Sequence, residues 1–425
     1  MTTTKPAGSA VARAASSPKP GAAPNPLLAR AREILPEIIE IRRAIHRQPE
    51  LGLQLPKTQA RIVDELRALG LEPRTGTSTT SVTAVIGADR PGRTVILRGD
   101  MDALPLTEET GLDFASEVGG AMHACGHDTH VATLLGGARL LVERLREDPE
   151  SLPGPVLLDF QPGEEGWFGA RFMLEEGLLG APGTKPLGPD NARAFALHIS
   201  SQYPTGEIHL KGGPIQASGD NVHIDVRGSG GHASAPHHAR DPIPAAAEMI
   251  LSLEVAVTRS VDAFDPAVLT IAHLRSGTTT NIIPETAHLS GTYRTVSADR
   301  RAAMRPLIER VVQGIATAHG LTAEVRFEEG YPVTVNDRAV ADRVFEIVDD
   351  LLGKGAAVEM TAPIMGAEDW SYVLQRVPGV MVYLGARPPE HPLEGYPQNH
   401  SNLVVFDEEA LAIGAALYAA AALEL

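Results

Sequence analysis

Pro155-Val156-Leu157-Leu158-Asp159-Phe160-Gln161-Pro162-Gly163-Glu164-Glu165-Gly166 joins an apolar run of strand length to a turn that carries two adjacent carboxylates. A short apolar run closed by turn residues predicts a strand buried inside a sheet. The segments on either side of it alternate. Upstream, Val82 to Ile86 and Thr94 to Leu97 predict short strands joined by the turn residues of 87–92, and Val131 to Leu145 predicts a helix. Downstream, 168–177 predicts a helix and 194–198 a strand. Such alternation predicts an α/β sheet covered on both faces. Nearer the start, Ile34, Ile38, Ile41 and Ile45 repeat at helical spacing within Leu27 to His46, with Pro36 placed to kink or restart the helix. Thr58 to Leu69 predicts a further helix.

The pattern changes near Gly212. Strand 220–227, helix 242–257, strands 267–274 and 286–295, helix 299–319 and strand 322–328 predict a compact α+β unit. Helix 337–352 follows, and elements of the first type then resume. This order predicts a small domain over 213–333 inserted into a larger one formed by 27–212 and 334–425. Residues 1–26, rich in Ala, Pro, Ser, Thr and Lys with no continuous apolar stretch, predict a disordered tail.

Composition narrows the function classes. The 425 residues are 43% hydrophobic and 21% charged, with 37 basic and 53 acidic side chains and a formal net charge of −16. That balance disfavours a nucleic-acid partner, which basic surfaces recruit. No apolar run is long enough to span a membrane. One cysteine permits no internal disulfide, and a cytoplasmic setting is expected.

Chemistry in α/β sheets gathers where loops leave the carboxyl ends of strands. Asp100 and Asp102 follow the Thr94 to Leu97 strand, Glu164 and Glu165 follow the 155–160 run, His198 ends 194–198, and His400 precedes the last helix. The lone cysteine lies in Met122-His123-Ala124-Cys125-Gly126-His127-Asp128-Thr129-His130. Thiolate, imidazole and carboxylate are the side chains that hold transition metals. The helix expected just beyond predicts a thiol biased towards thiolate. Singly, each group has an ordinary explanation: a core cysteine, a capping aspartate, a solvated Glu-Glu turn, a satisfied core histidine. Their shared sheet edge favours a metal site. Adjacent glutamates predict a division of labour, one coordinating and its neighbour free as general base. A nucleophilic Cys125 is a lesser alternative, and no Gly-x-Ser-x-Gly elbow supports serine catalysis.

Gly228-Ser229-Gly230-Gly231-His232-Ala233 matches a dinucleotide fingerprint superficially, but Pro236 and His237-His238 leave no helix N-terminus for a pyrophosphate. Preceded by glycines on a turn, His232 can donate to an oxyanion. Asn281, in Thr280-Asn-Ile-Ile-Pro284, offers an amide before a strand, with capping as its ordinary role.

Together these residues resemble the M20 metallopeptidase family, in the aminoacylase/amidohydrolase branch of hippurate hydrolases, N-acetyl-diaminopimelate deacetylases and auxin-conjugate hydrolases. The resemblance runs from about Ile34 to Leu417. It is carried by Arg42-Arg-Ala-Ile-His-Arg-Gln-Pro-Glu-Leu-Gly52, Arg98-Gly-Asp-Met-Asp-Ala-Leu-Pro105, the 122–130 and 161–166 stretches, Gly230-Gly-His-Ala-Ser-Ala-Pro-His237, Thr280-Asn-Ile-Ile-Pro284, Met365-Gly-Ala-Glu-Asp-Trp370 and Asn399-His-Ser401. Trp370 stands where the branch usually has Phe, and Gly99 where it often has Ala.

The resemblance implies a zinc-exopeptidase-like α/β catalytic domain with an inserted ferredoxin-like lid that also forms a homodimer. It implies two divalent ions (Zn, Mn, Co or Ni) held by Cys125, His127, Glu165, His198 and His400, with Glu164 as general base. Asp102, and more weakly Asp100, would orient ligands. His232 would reach the partner subunit's site and polarise the scissile carbonyl, with Asn281 also contacting substrate. The implied substrate is an N-acyl amino acid. A dipeptide or carbamoyl amino acid is the alternative within the family, and a metal-binding protein without turnover the alternative outside it.

Overall fold

The structure, a computed structural model, describes residues 25–88 and 90–425. Of the expected tail, 1–24 lie outside the described residues, while Asn25 and Pro26 already belong to the first helix. There the Asn25 side chain accepts the Leu27 N–H at 2.9 Å and caps Pro26–Glu33. The helical periodicity read over Leu27 to His46 is two helices. The break falls at Ile34, and Pro36 opens the second, Leu35–His46, where a missing N–H costs nothing.

The main sheet has eight strands, in the order Arg74–Thr75, Val82–Ile86, Val156–Gln161, Thr94–Asp100, Ala192–Pro204, Gly379–Arg387, Ile208–Leu210 and Ala357–Glu359. The four central strands, from Val156–Gln161 to Gly379–Arg387, are mutually parallel. Their side chains alternate between two cores. Val95, Leu97, Phe195 and Leu197 pack towards helices His127–Glu147 and Glu409–Glu424, whereas Ile96, Leu157, Ala194 and Ala196 pack with Met173, Trp370 and Val373 on the other face. Continuous apolar runs, without polar alternation, are what burial on both faces requires. Helix Glu409–Glu424 is apolar all round because it is enclosed, with Ala410 to Ala422 buried. No helix among the described residues is long and apolar enough to cross a membrane.

A second, four-stranded antiparallel sheet has the order Ala267–Ser276, Thr286–Thr295, Asp220–Arg227, Thr322–Glu328. With helices Pro242–Ser260 and Ala298–Ala318 it follows the β-α-β-β-α-β order of a ferredoxin-like unit and has its own core around Val222, Ile224, Met249 and Ile308. The two chain crossings into and out of this unit pair with one another: Gly213–Gln216 lies antiparallel to Thr334–Asn336. They form a neck between the two sheets.

Candidate metal centre

Three parallel strands and one helix start converge on one edge of the main sheet. The helix begins at His127, four residues earlier than its apolar periodicity predicts, because Gly126 at φ 88° turns the chain into it. His127 and His130 therefore share a face of the first turn, with stacked rings 5.3 Å apart. The strand carrying Asp100 ends at that residue, three positions beyond the predicted end at Leu97. His198 lies in the middle of Ala192–Pro204 and not at a strand end as expected. Arg98 pairs with Ala196, so His198 stands level with Asp100, where the neighbouring strand stops. The edge belongs to the neighbour, and His198 still reaches it.

Cys125 is the hub. Its Sγ lies 3.3 Å from His198 Nε2 and 3.2 Å from His400 Nε2. His400 Nε2 is 3.3 Å from Glu165 Oε1, and His127 Nε2 is 3.9 Å from the same oxygen. His198 Nδ1 faces the Ile199 carbonyl at 2.7 Å, which assigns the proton to Nδ1 and leaves the Nε2 lone pair for the cluster. The loop bearing His400 is held from both sides. Its own N–H reaches the Ala124 carbonyl at 2.9 Å, and Asn399 Nδ2 donates to the carbonyls of Cys125 and Ile199. His400 pays for this position with a left-handed φ of 70°. Behind the cluster, Asp102 accepts the backbone N–H groups of Glu164 at 2.8 Å and Glu165 at 3.0 Å, and sits 3.6 Å from His127 Nδ1. Asp100 lies 3.3 Å from His127 Nε2 and 2.5 Å from His130 Nδ1.

The expected bias of Cys125 towards thiolate is overturned. Burial, with Glu165, Glu164 and Asp100 nearby, pushes the thiol well above its ordinary range. The helix start offers only partial charge, and burial together with the neighbouring acidic groups outweighs it. The two glutamates diverge. Burial, reinforced by Glu368, Glu165 and Asp369, lifts Glu164 well above the usual carboxylate range. Burial acts on Glu165 in the same direction, but His400 and His127 overcome it and hold Glu165 below that range. Paired acids whose environments drive them apart divide into a proton carrier and a standing anion. For His127, burial lowers basicity, yet Asp100, Asp102 and Glu165 raise its pKa to about 10.

Glu164, Glu165, Cys125, His198 and His400 line one cavity of about 640 Å³, together with Phe168, Arg294, Gly330, Tyr331, Glu368 and Tyr383. His127 lies just beneath it, fully buried. His232 and Asn281 do not line it. They meet on a small exposed ribbon in which Gly231–His232 pairs with Ile282–Ile283.

Several residues of the site escaped a reading by sequence. His130 uses both ring nitrogens, Nδ1 on Asp100 and Nε2 as acceptor of the Ile199 N–H at 2.7 Å, so it braces the strand of His198 instead of binding an ion. Arg98, fully buried, contacts Asp100, Glu368 and Asp369. These lie inside quoted motifs, and only Arg98 carries a local signal, a charged residue within an otherwise apolar strand.

Asp159 is a further buried carboxyl, paired in register with Arg98, with one oxygen that has no hydrogen-bond partner. Burial raises its pKa to about 7. Since the folded value lies above the unfolded one, stability falls as pH rises from about 4 to about 7. Asp159→Asn is therefore expected to raise the thermal midpoint by a few degrees at pH 8 and to leave it unchanged below about pH 4. Thermal melts at both pH values test this, and equal midpoints at pH 8 would contradict it.

A buried thiol, imidazoles and a carboxylate pair at the carboxyl edge of a parallel sheet are the donor types of a transition-metal site, and a second glutamate beside them suits metal-assisted hydrolysis. The profile of peptidase family M20/M25/M40 matches residues 96–424, and the chain belongs to this family. It is 41% identical to thermostable carboxypeptidase 1 of Saccharolobus solfataricus over 91% of this chain and 95% of the relative. It is 38% identical to the N-acetyldiaminopimelate deacetylase of Halalkalibacterium halodurans, over 82% and 91% respectively. Among solved structures, a Bacillus subtilis protein described as a dinuclear metal-binding peptidase of family M20 superposes with a TM-score of 0.77 at 32% identity, covering 92% of this chain and 98% of its own.

Proposed function

We propose that this protein is a metal-dependent amidohydrolase that splits the amide bond of N-acyl amino acids. Cys125, His127, Glu165, His198 and His400 would hold two divalent ions, and Glu164 would be the general base. The observation that carries the reading is the overlap of ligand groups. Cys125, His127 and His198 bring donor atoms within 4.8 Å of one another, as do Cys125, Glu165 and His400, and as do His127, Glu164 and Glu165. The donor set also fits ions by what it leaves unmade: His127 Nδ1 and Nε2 and Glu165 Oε1 are buried and make no hydrogen bond of proper geometry, although Asp102, Asp100 and His400 stand 3.6, 3.3 and 3.3 Å from them. Orphaned polar atoms are rare in native interiors unless something else binds them. The Bacillus subtilis neighbour, described as dinuclear, supports a two-ion reading.

Ions in such a site polarise a carbonyl and make water acidic enough to attack near neutrality. Glu164 takes the proton of the attacking water and returns it to the leaving nitrogen as the carbon–nitrogen bond breaks, so that a carboxylic acid and an amine leave. Asp102 fixes the backbone of both glutamates, and Asp100 orients His127 and His130. His232, which does not line this cavity, would act on a partner subunit's carbonyl with Asn281 beside it. A homodimer through the four-stranded unit is supported by that unit's exposed Leu251, Val255 and Phe264. Arg294, the one arginine among the described residues that line the cavity, is suited to the free carboxylate of an amino acid. A lone buried thiol suits the reducing cytoplasm.

The carboxypeptidase relative favours a second reading, release of a C-terminal residue from a peptide. Both substrates present an acylated amine beside a free carboxylate, and differ in whether the acyl group is itself peptidyl. Protein loaded with Mn²⁺ or Co²⁺ and assayed against N-acyl amino acids, dipeptides and carbamoyl amino acids separates the readings. Turnover of the first class is expected, and inactivity on all three would leave a binding protein without catalysis.

Cation uptake should also release protons. Cys125 and His127 both hold a proton at pH 8, and ligation removes it. Calorimetric titration of chelator-stripped protein in buffers of different ionisation enthalpy is expected to give about two protons per centre filled. No release, or unchanged release in Cys125→Ser, would remove Cys125 from the ligand set.

A further inference from the structure

The turn that carries the glutamates is gripped from a side that the proposed ligands do not explain. Tyr331 lies three residues before the neck strand Thr334–Asn336, buried against the cavity. Its hydroxyl donates to the Glu164 carbonyl at 2.5 Å and accepts the Phe168 N–H at 3.3 Å. Its ring meets that of Phe168 edge-on, centroids 5.0 Å apart at 85°. Phe168 has a left-handed φ of 61°, a conformation that a bulky side chain adopts only when its surroundings impose it. Glu164 is thereby fixed at both of its backbone polar groups, the N–H by Asp102 and the carbonyl by Tyr331.

Tyr331 is itself anchored. Its carbonyl accepts the Gly219 N–H at 3.0 Å from the other neck strand's continuation. The preceding Gly330 donates to Asp220 Oδ1 at 3.2 Å and accepts from Arg301 Nη2 at 3.0 Å, while Arg301 grips Asp220 with Nε at 2.8 Å and Nη2 at 2.7 Å. Asp220 and Arg301 belong to the four-stranded unit, so an unbroken run of hydrogen bonds leads from that unit to the backbone of Glu164.

We infer that Tyr331 is a positioning residue of the reaction: its hydroxyl fixes the backbone of Glu164 and holds the strained Phe168 turn against the neck. The inference rests on the reading of Glu164 as the general base. Losing the hydroxyl leaves the Phe168 N–H without an acceptor and lets the turn relax, carrying the Glu164 carboxyl away from its working pose. A displacement of about 1 Å at a reacting group costs on the order of a hundredfold in rate.

Tyr331→Phe is the test, since it keeps the ring and removes one oxygen. Steady-state kinetics on two acyl substrates should give a kcat lowered by about ten- to a hundredfold, by the same factor for both, with KM within about twofold of the parent. Bound metal should stay at the parental value, and the thermal midpoint should fall by no more than a few degrees. An unchanged kcat overturns the inference. So does a rise in KM alone, which would mean that Tyr331 touches substrate, and so does loss of metal or a collapsed midpoint, which would mean a structural role. Glu164→Gln, measured alongside, keeps the two claims apart. If it retains turnover, the reading of the base fails; if it is silent while Tyr331→Phe is fully active, only the role of Tyr331 fails.

Discussion

Replacing Glu164 with Gln is expected to lower kcat by about 10²–10⁴-fold or more while bound metal and thermal stability stay at parental levels. Gln has nearly the same shape but cannot carry a proton from water to a leaving nitrogen. The fold should tolerate it well. Without ions in the site, burial and the surrounding carboxylates favour the neutral form of Glu164, which a neutral amide resembles, whereas the cations the site would hold would favour the carboxylate that acts as base. The contacts that hold the turn run through the Glu164 backbone, to Asp102 and Tyr331, and survive the substitution. Metal analysis and kinetics on the same preparation check this. A Glu164→Gln protein with a tenth or more of parental turnover would transfer the role of base elsewhere. A protein that lost its metal would make Glu164 a ligand.

How much of this was legible depends on the range of the interaction involved. The α/β alternation was legible because burial on both faces leaves apolar runs such as 155–160, which need no knowledge of partners. Cys125, His127 and the glutamate pair were legible because each sits beside a predicted strand or helix end. Where a local rule met long-range charge, the local rule lost. The helix start at Gly126 argues for a thiolate, but burial, with Glu165, Glu164 and Asp100 brought in from distant positions, sets the balance at Cys125. His198 was placed for the wrong reason: its strand runs on to Pro204, and the edge it reaches is created by the end of the neighbouring strand at Asp100. Tyr331 had no signal, since a tyrosine before Pro332 reads as an ordinary turn residue, and only the fold brings its hydroxyl to Glu164.

Removing the charge of Arg98 should have the largest effect on stability. Its side chain is fully buried, with Nη1 2.9 Å from Asp100, Nη2 2.7 Å from Glu368 and 3.3 Å from Asp369, and Nε donating to Gln161 at 3.1 Å. Arg98→Leu would leave three buried carboxyl groups facing one another, with His127 beside Asp100 as the cation that remains. Breaking a buried ion pair from one side costs about 3–5 kcal/mol, because the abandoned charge stays out of water. Against a total stability of about 5–15 kcal/mol, that is a large fraction. The loss should deepen with pH. Burial already lifts Glu368 and Asp369 above the ordinary carboxylate range, so at low pH they can hold protons and the missing cation matters less. Asp100 behaves in the opposite way: burial would raise it, but Arg98, His127 and His130 hold it well below that range, and without Arg98 it rises and weakens its grip on both histidines. Arg98→Lys keeps a charge but not the planar fork that reaches several carboxylates at once, and an intermediate loss is expected. Denaturant unfolding at pH 5 and pH 8 measures both variants. Equal midpoints for Arg98→Leu and the parent at pH 8 would mean that the three carboxyl groups do not need the arginine.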